Sequence, residues 1–543
     1  MYPLGFLPFF YSLVPDQGAV AAALVIPALV LTLWLYAIAT RSSSDHADDA
    51  PVHLPGSSLS HILPFFHQRF DFINQGFQLA GQAIYQFSLL RTPVIVLSGE
   101  SARRDFFQAK DLDLNAGFKF LSGAIPMMPG VTSNLEARRI ALIHKRLASA
   151  QTTDRLARLL PQILEDSRRT MDTWGFSGTL DPFERISETT MRCLAFTELA
   201  DDPVKVQRLK ELYDTLDTAT TPTTVLLPWL PGPTAVRRLL ATKRIYDIIS
   251  TALEERTRSG MARDDTPQML IDAGDERLII IGFVMGLLVA GARSTGTTAS
   301  WLITFLSGHP EWKAKAAEEV RRLIAEHAAS HMFTSTEKRH AAAEAQEHRS
   351  SLSQLSSTLS AIPLSAWDTQ TPTLDALIRE TLRVAEPHVA MRQYVPRSSS
   401  ADEKGDVGPL YLGGKAVPPG AYVMYPFSDV HLSSEIYQDP WRWDPGRKEL
   451  NLKAPYAYVG MGAGSTVCLG KRLATLELKL ITALFVLGYD ELRAVDSKGA
   501  PLAELPRPNW NDILTCKPPA GSCYVRFGRT AADASPSGGV PSS

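Results

Sequence analysis

Apolar and polar positions divide the 543-residue chain into an uncharged leading run, a long helix-rich middle and a tail of small polar residues. Residues 19–39 (AVAAALVIPALVLTLWLYAIA) carry no charge and suffice to cross the ~30 Å hydrocarbon core of a bilayer as one helix. Pro27 is tolerated in such a helix, and Trp34 and Tyr36 fall where an interfacial belt would lie. Arg41 follows the run and no Lys or Arg precedes it, which puts the rest of the chain on the cytosolic side. A cleaved leader would need a basic first segment, and this run lacks one. It reads as a retained transmembrane anchor behind an N-terminal segment, residues 1–18.

Residues 40–54 form a polar and then proline-stiffened linker, and no long linker interrupts residues 55–528, so one large catalytic domain is expected there. Within it, residues 93–97 (PVIVL) predict a strand, residues 101–110 a helix, and helical periodicity dominates the middle. Extended, turn-punctuated sequence returns at 410–425 and 513–527, enough for a small sheet at each place. The predicted fold class is mainly α with small β-sheets, plus one N-terminal transmembrane helix. Residues 327–360, rich in Ala, Ser, Glu and His, read as polar surface without core periodicity, and residues 529–543 as a disordered tail. The apolar, proline-broken stretch 220–233 (TTPTTVLLPWLPGP) reads either as a loop touching the bilayer surface or as a buried connector.

A formal net charge of -2 gives no global basic field, so nucleic acid is not an expected partner. The four cysteines, Cys193, Cys468, Cys516 and Cys523, are too sparse for a disulfide framework or a zinc site and suit a reducing compartment. Cys516 and Cys523 flank a turn-rich stretch and could face each other across a hairpin.

The chemistry concentrates at residues 461–470, MGAGSTVCLG, which run into an apolar helix. Gly462, Gly464 and Gly470 let the backbone take tight conformations against a flat ligand, while amides at the helix start favour a thiolate on Cys468. Upstream, Glu380 and Arg383 lie three residues apart in LDALIRETLRV, on one helical face. Arg447 closes the later sequence WDPGR.

Together these motifs resemble the cytochrome P-450 family, of the eukaryotic membrane-anchored type. The glycines and the cysteine match its haem-binding signature, with Met461 where the family usually has Phe and Thr466 where it usually has Arg or His to pair a haem propionate. The resemblance implies heme b (iron protoporphyrin IX) with Cys468 as the iron ligand, and a buried structural network of Glu380, Arg383 and Arg447 bracing the loop beneath it. Residues 291–310 follow the apolar run 278–290, and together they predict one long buried helix; the resemblance implies that on it Gly291 makes room above the iron and that an acid and an alcohol help deliver protons during oxygen activation. Here Arg293 occupies the acid position and Ser294 the alcohol position, with Thr295 next. Arg293 either alters that chemistry or turns away into an ion pair. Arg392 falls where the family places an arginine for a propionate, and Lys145 or Arg146 is the candidate to stand in for a missing Trp-x-x-x-Arg motif.

The family implies a monooxygenase of the endoplasmic reticulum membrane with its catalytic domain facing the cytosol. Its electrons would come from NADPH through NADPH-cytochrome P-450 reductase, with Lys471, Arg472 and Lys479 near the docking face. The substrate would be a lipophilic small molecule, terpenoid, sterol or fatty-acid-like. Two alternatives stay open: a haem-thiolate isomerase or dehydratase needing no electrons, and a non-catalytic haem-binding protein.

Overall fold

The computed structural model of the chain describes residues 49–122, 137–194, 202–260, 265–332, 352–385, 389–396, 409–447, 453–512 and 516–530. The expected anchor 19–39, the segment before it, most of the linker and residues 531–543 lie outside the described residues. Among the described residues no helix is long and apolar enough to cross a membrane.

Three small sheets flank a helical body. The strands in chain order are β1 (Val52–His53), β2 (Ile84–Leu89), β3 (Thr92–Leu97), β4 (Leu112–Asp113), β5 (Ser177–Leu180), β6 (Val389–Tyr394), β7 (Leu410–Leu412), β8 (Lys415–Val417), β9 (Tyr422–Pro426), β10 (Tyr489–Val495) and β11 (Tyr524–Arg529). The largest sheet has the order β1-β2-β3-β9-β6-β4, the second β10-β11-β5, and β7-β8 is a hairpin. Strand β6 runs antiparallel to β9 with Arg392 opposite Val423. The folded chain starts slightly before residue 55, since β1 pairs with β2, and ends slightly after 528, since Thr530 is buried.

The helices that matter for the site are α1 (Ile62–His67), α2 (Arg69–Ala80), α3 (Glu100–Gln108), α4 (Ala137–Ala150), α5 (Pro203–Thr218), α6 (Pro222–Leu226), α7 (Pro233–Ser259), α8 (Arg277–Leu287), α9 (Arg293–Gly308), α10 (Pro372–Ala385) and α11 (Lys471–Gly488). Helices α9 and α11 are buried on nearly every face from Thr295 and Leu476 onward, as expected of elements that are apolar all round. They share one core with α10. Gly296 lets the helix Pro182–Leu194 approach closely: a Cβ there would sit 2.7 Å from Thr190 Oγ1.

Three expectations change. The central helix is interrupted by a π-turn at Leu288–Ala292, between α8 and α9, which contains Gly291, a residue of low helix propensity. Part of the stretch read as polar surface folds: Pro310–Met332 is helix, and Leu352–Ser360 buries Leu352, Leu355 and Leu359 against α11, a spacing short enough to escape notice in a polar run. Among the described residues the stretch 516–530 contributes one strand, β11, paired with β10 and β5, rather than a hairpin, and Cys516 and Cys523 before it are buried and not bonded to each other. Burial, reinforced by Asp181, pushes the Cys523 thiol up to about 12.

Candidate active site

The cysteine loop is shaped by backbone before side chains enter. Gly462 N–H donates to Val459 O (2.8 Å), Thr466 N–H to Ala463 O (3.1 Å) and Cys468 N–H to Met461 O (2.7 Å). Gly462 and Gly464 both have positive φ, +74° and +59°. A Cβ on Gly462 would meet Thr466 O at 2.4 Å, and one on Gly464 would meet Phe107 O of α3 at 2.2 Å. Both positions therefore require glycine twice over, by conformation and by room. Gly470 does not: its φ is -88° and an added Cβ would be in ordinary contact, 3.9 Å from Cys468 Sγ. It serves instead as the N-cap of α11, its amide drawing the Cys468 thiol down. Desolvation by the surrounding loop nevertheless raises that thiol overall, against the Gly470 amide and the Lys471 charge. The Cys468 side chain is exposed, between the exposed Val467 and Leu469.

Beneath the loop lies the ion network. Arg383 grips Glu380 with Nε (2.8 Å) and Nη2 (2.7 Å), and donates through Nη1 to His431 O (2.6 Å) and Pro440 O (2.7 Å). Arg447 Nε donates to the same Glu380 Oε1 at 3.0 Å, as does Asp444 N–H. Glu380 and Arg383 are almost fully buried, a position that only such complete pairing makes tolerable. His431 was not singled out from sequence, yet it joins the two parts: its carbonyl accepts from Arg383 and its Nε2 accepts from Val459 N–H at the loop's entry. Gln151 was missed as well. Its Nε2 donates to Leu469 O (2.6 Å), and its Oε1 accepts from Leu473 N–H. Both contacts link residues far apart in the chain, with no local pattern to announce them.

Arg392, on β6, is 1% exposed and lies over the Phe106 ring. It donates to Phe106 O (2.6 Å) and to Thr466 Oγ1, and among the described residues it faces no carboxylate. Its Nε has no partner, and burial lowers its pKa to about 10. A buried cation with an orphaned N–H beside the cysteine loop fits the acidic edge of a haem. The structure thus brings together Arg392 and Thr466, but not Lys145. Lys145 is exposed on α4, and its neighbour Arg146 is held bidentately by Asp275 (2.7 and 2.7 Å).

On the distal helix, Arg293 turns to α5 and forms an ion pair with Asp217. Burial still lowers its pKa to about 10. Gly291 lies in the π-turn, half-buried. Ser294 is exposed and donates to Ala290 O (2.6 Å), while Thr295 is buried. Of the expected docking cations, Lys479 is unavailable: it is buried, donating to Trp367 O (2.8 Å) and pairing with Asp375. Arg472 is half-exposed and pairs with Asp368.

A glycine-shaped loop presenting one cysteine, braced by a buried Glu-Arg-Arg network and facing an orphaned arginine, defines a haem-thiolate type of site. The family profile described as Cytochrome P450 matches residues 59–339 and 367–501, and the chain belongs to that family. It is 25% identical over 463 residues to "Cytochrome P450 monooxygenase AacuE" of Aspergillus aculeatus, covering 82% of this chain and 86% of the relative. It is also 24% identical over 449 residues to human "Lanosterol 14-alpha demethylase", covering 80% and 79%. Among solved structures, "Retinoic acid bound cyanobacterial CYP120A1" shares the fold with a TM-score of 0.63 at 18% identity, over 89% of this chain and 99% of that one. The protein is therefore a cytochrome P450 monooxygenase, an oxidoreductase, and its cofactor is heme b.

Proposed function

We propose that this chain inserts one oxygen atom from O2 into a lipophilic small molecule, with electrons from NADPH through a membrane-bound reductase and with Cys468 as the residue that would hold the iron of heme b. The observation that carries the choice over an isomerase or dehydratase is the Arg293–Asp217 ion pair. It turns the one strong departure in the distal helix away, so that the arginine need not oppose proton delivery. Bound here, heme b supplies the redox chemistry. The protein's own residues do the rest: Arg392 and Thr466 hold an acidic edge, Gly462 and Gly464 keep the loop flat, and the network around Glu380 fixes the loop's distance. Ser294 and Thr295, with water, pass protons, and Gly291 leaves room for substrate.

Membrane attachment through residues 19–39, at the endoplasmic reticulum with the catalytic domain in the cytosol, belongs to the same proposal. The stretch 220–233 supports it, because it is split between the two readings. Val225 and Leu226 of α6 pack inward, whereas Trp229 is 64% exposed, and Leu239 and Leu240 of the following α7 are exposed as well. Exposed apolar side chains at that place suit contact with a bilayer and entry of a terpenoid, sterol or fatty-acid-like substrate. The relative named for lanosterol supports the sterol-like end of that range.

The test measures product and peroxide formed per NADPH consumed, for wild type and for the double variant Ser294→Ala/Thr295→Val, with a reductase-free control. Uncoupled NADPH use with retained haem is expected of the variant. Full conversion without reductase would establish the isomerase reading, and haem binding without any turnover the non-catalytic one.

A further inference from the structure

Among the described residues, five arginines are buried to 4% exposure or less: Arg69, Arg103, Arg256, Arg383 and Arg392. Three face a carboxylate, Asp429, Asp265 and Glu380 respectively. Arg392 faces none and lies where a haem propionate is expected. Arg69 faces none either, and it is nowhere assigned a role. Its guanidinium lies 4.5 Å over the Phe65 ring, and its Nε and Nη2 are sequestered without a hydrogen-bond partner. Burial alone lowers its pKa to about 9, the mark of an uncompensated charge.

The two orphaned groups are the ones that make the side edge of the guanidinium fork. Elsewhere in this protein the same edge grips a carboxylate: Nε and Nη2 of Arg383 on Glu380, and Nε and Nη2 of Arg146 on Asp275. That edge matches two oxygens of one anion. A second, independent feature points the same way. Arg69 opens the 12-residue helix α2, whose N-cap Gln68 contributes no side-chain cap. The acid in its first turn, Asp71, is occupied by Asn511 Nδ2 at 2.8 Å. The positive end of the helix dipole and an unpaired buried cation therefore coincide.

We propose that Arg69 anchors an anion site that takes the phosphate of an anionic membrane lipid. The surroundings favour a lipid over a free ion. Leu59 and Leu63, on and just before α1, are exposed, and α1 touches α6, which precedes the exposed Trp229. Exposed leucines on and next to the helix whose Phe65 carries the buried cation suit an amphiphile whose tail stays in the bilayer while its phosphate reaches inward. The proposal rests on the membrane attachment argued above, and the experiment separates the two.

Full-length holoenzyme is reconstituted in vesicles of phosphatidylcholine alone or with added phosphatidic acid, and the thermal midpoint of loss of the carbon-monoxide difference spectrum is measured. Phosphatidic acid should raise the wild-type midpoint by at least about 2 °C, because a ligand that binds only the native state stabilises it. Arg69→Gln should show no rise, and Arg69→Lys, which keeps the charge but loses the fork, less than half of it. Midpoints in phosphatidylcholine alone report whether each variant folds; if Arg69→Gln does not, Arg69→Lys carries the test. No rise in wild type, or a full rise in either variant, overturns the site. An equal rise from inorganic phosphate in phosphatidylcholine vesicles overturns the lipid assignment in favour of a free anion. Failure of the wild type to sediment with vesicles would instead overturn the membrane reading.

Discussion

The two sides of the site are built on opposite principles. On the cysteine side, position is fixed by backbone hydrogen bonds, two glycines that admit no substitute, and a network in which Glu380, Arg383 and Arg447 are saturated with partners. On the distal side, the geometry hangs on fewer contacts: a π-turn at Leu288–Ala292, a Ser294 hydroxyl folded onto its own helix, and an Arg293 paired with Asp217 in the field of Asp512 and Asp214. The difference explains why Met461 and Thr466 depart from the usual family residues without disturbing the loop. Arg293, by contrast, had to find Asp217 before the helix could host it. Where backbone carries the shape, side-chain departures are silent; where one side chain carries the chemistry, each departure needs a partner.

The largest effect should come from breaking the saturated side. Arg383→Ala leaves Glu380 buried beside Arg447 alone, and loss of a buried pair costs roughly 3–5 kcal/mol, so folded, haem-loaded protein should fall to a small fraction of wild type in yield and carbon-monoxide difference amplitude. Near-normal loading would show that the network is ornamental. Next, Gly464→Ala forces a Cβ onto Phe107 O at a positive φ and should cost about 1–3 kcal/mol, read as a lowered thermal midpoint of the holoprotein. Gly470→Ala, with ordinary contacts, should be milder, and equal effects would sink the distinction drawn between them.

The distal side should break in function rather than stability. Asp217→Asn releases Arg293 and should lower product formed per NADPH severalfold, with the thiolate carbonyl spectrum unchanged. Unchanged coupling would mean that the ion pair does not govern the distal pocket.

The smallest effect concerns Glu477 on α11, fully buried with both oxygens unpartnered, and held protonated because burial raises its pKa well above the usual carboxylate range. Its folded value exceeds its unfolded one, so its contribution to stability is present below the unfolded value near 4.5 and is lost as pH rises toward the folded one. Glu477→Gln removes that loss. The variant's midpoint should match wild type in acid and exceed it increasingly toward neutral pH, and a pH-independent difference would contradict the burial argument.

Much of the cysteine side was legible because its signals are local. The glycines and Cys468 span ten residues, and Glu380 and Arg383 share one helical turn. Arg447 was reached only through family resemblance, since nothing near it names Glu380 as a partner. His431, Gln151 and Asp217 left no trace for the same reason: each acts across a gap that only folding closes. Lys479 was misjudged because a lysine soon after the cysteine loop reads as solvated, whereas α11 is buried around it and Trp367 and Asp375 receive its ammonium. The Leu352–Ser360 helix was overlooked because its apolar stripe is only three residues long.

Thr466 has a consequence for the life of the protein before it acquires its cofactor. Its hydroxyl gives Arg392 a neutral acceptor, and with the bond from Arg392 to Phe106 O this ties β6 and α3 to the cysteine loop. An arginine at 466, the usual family residue, would turn that bond into two cations meeting and make the loop's shape depend on a propionate to bridge them. With threonine, the tie between loop, strand and helix needs no second charge, so the loop's shape should depend less on haem. Thr466→Arg should therefore shorten the lifetime of the cofactor-free protein while leaving the loaded enzyme nearly as durable.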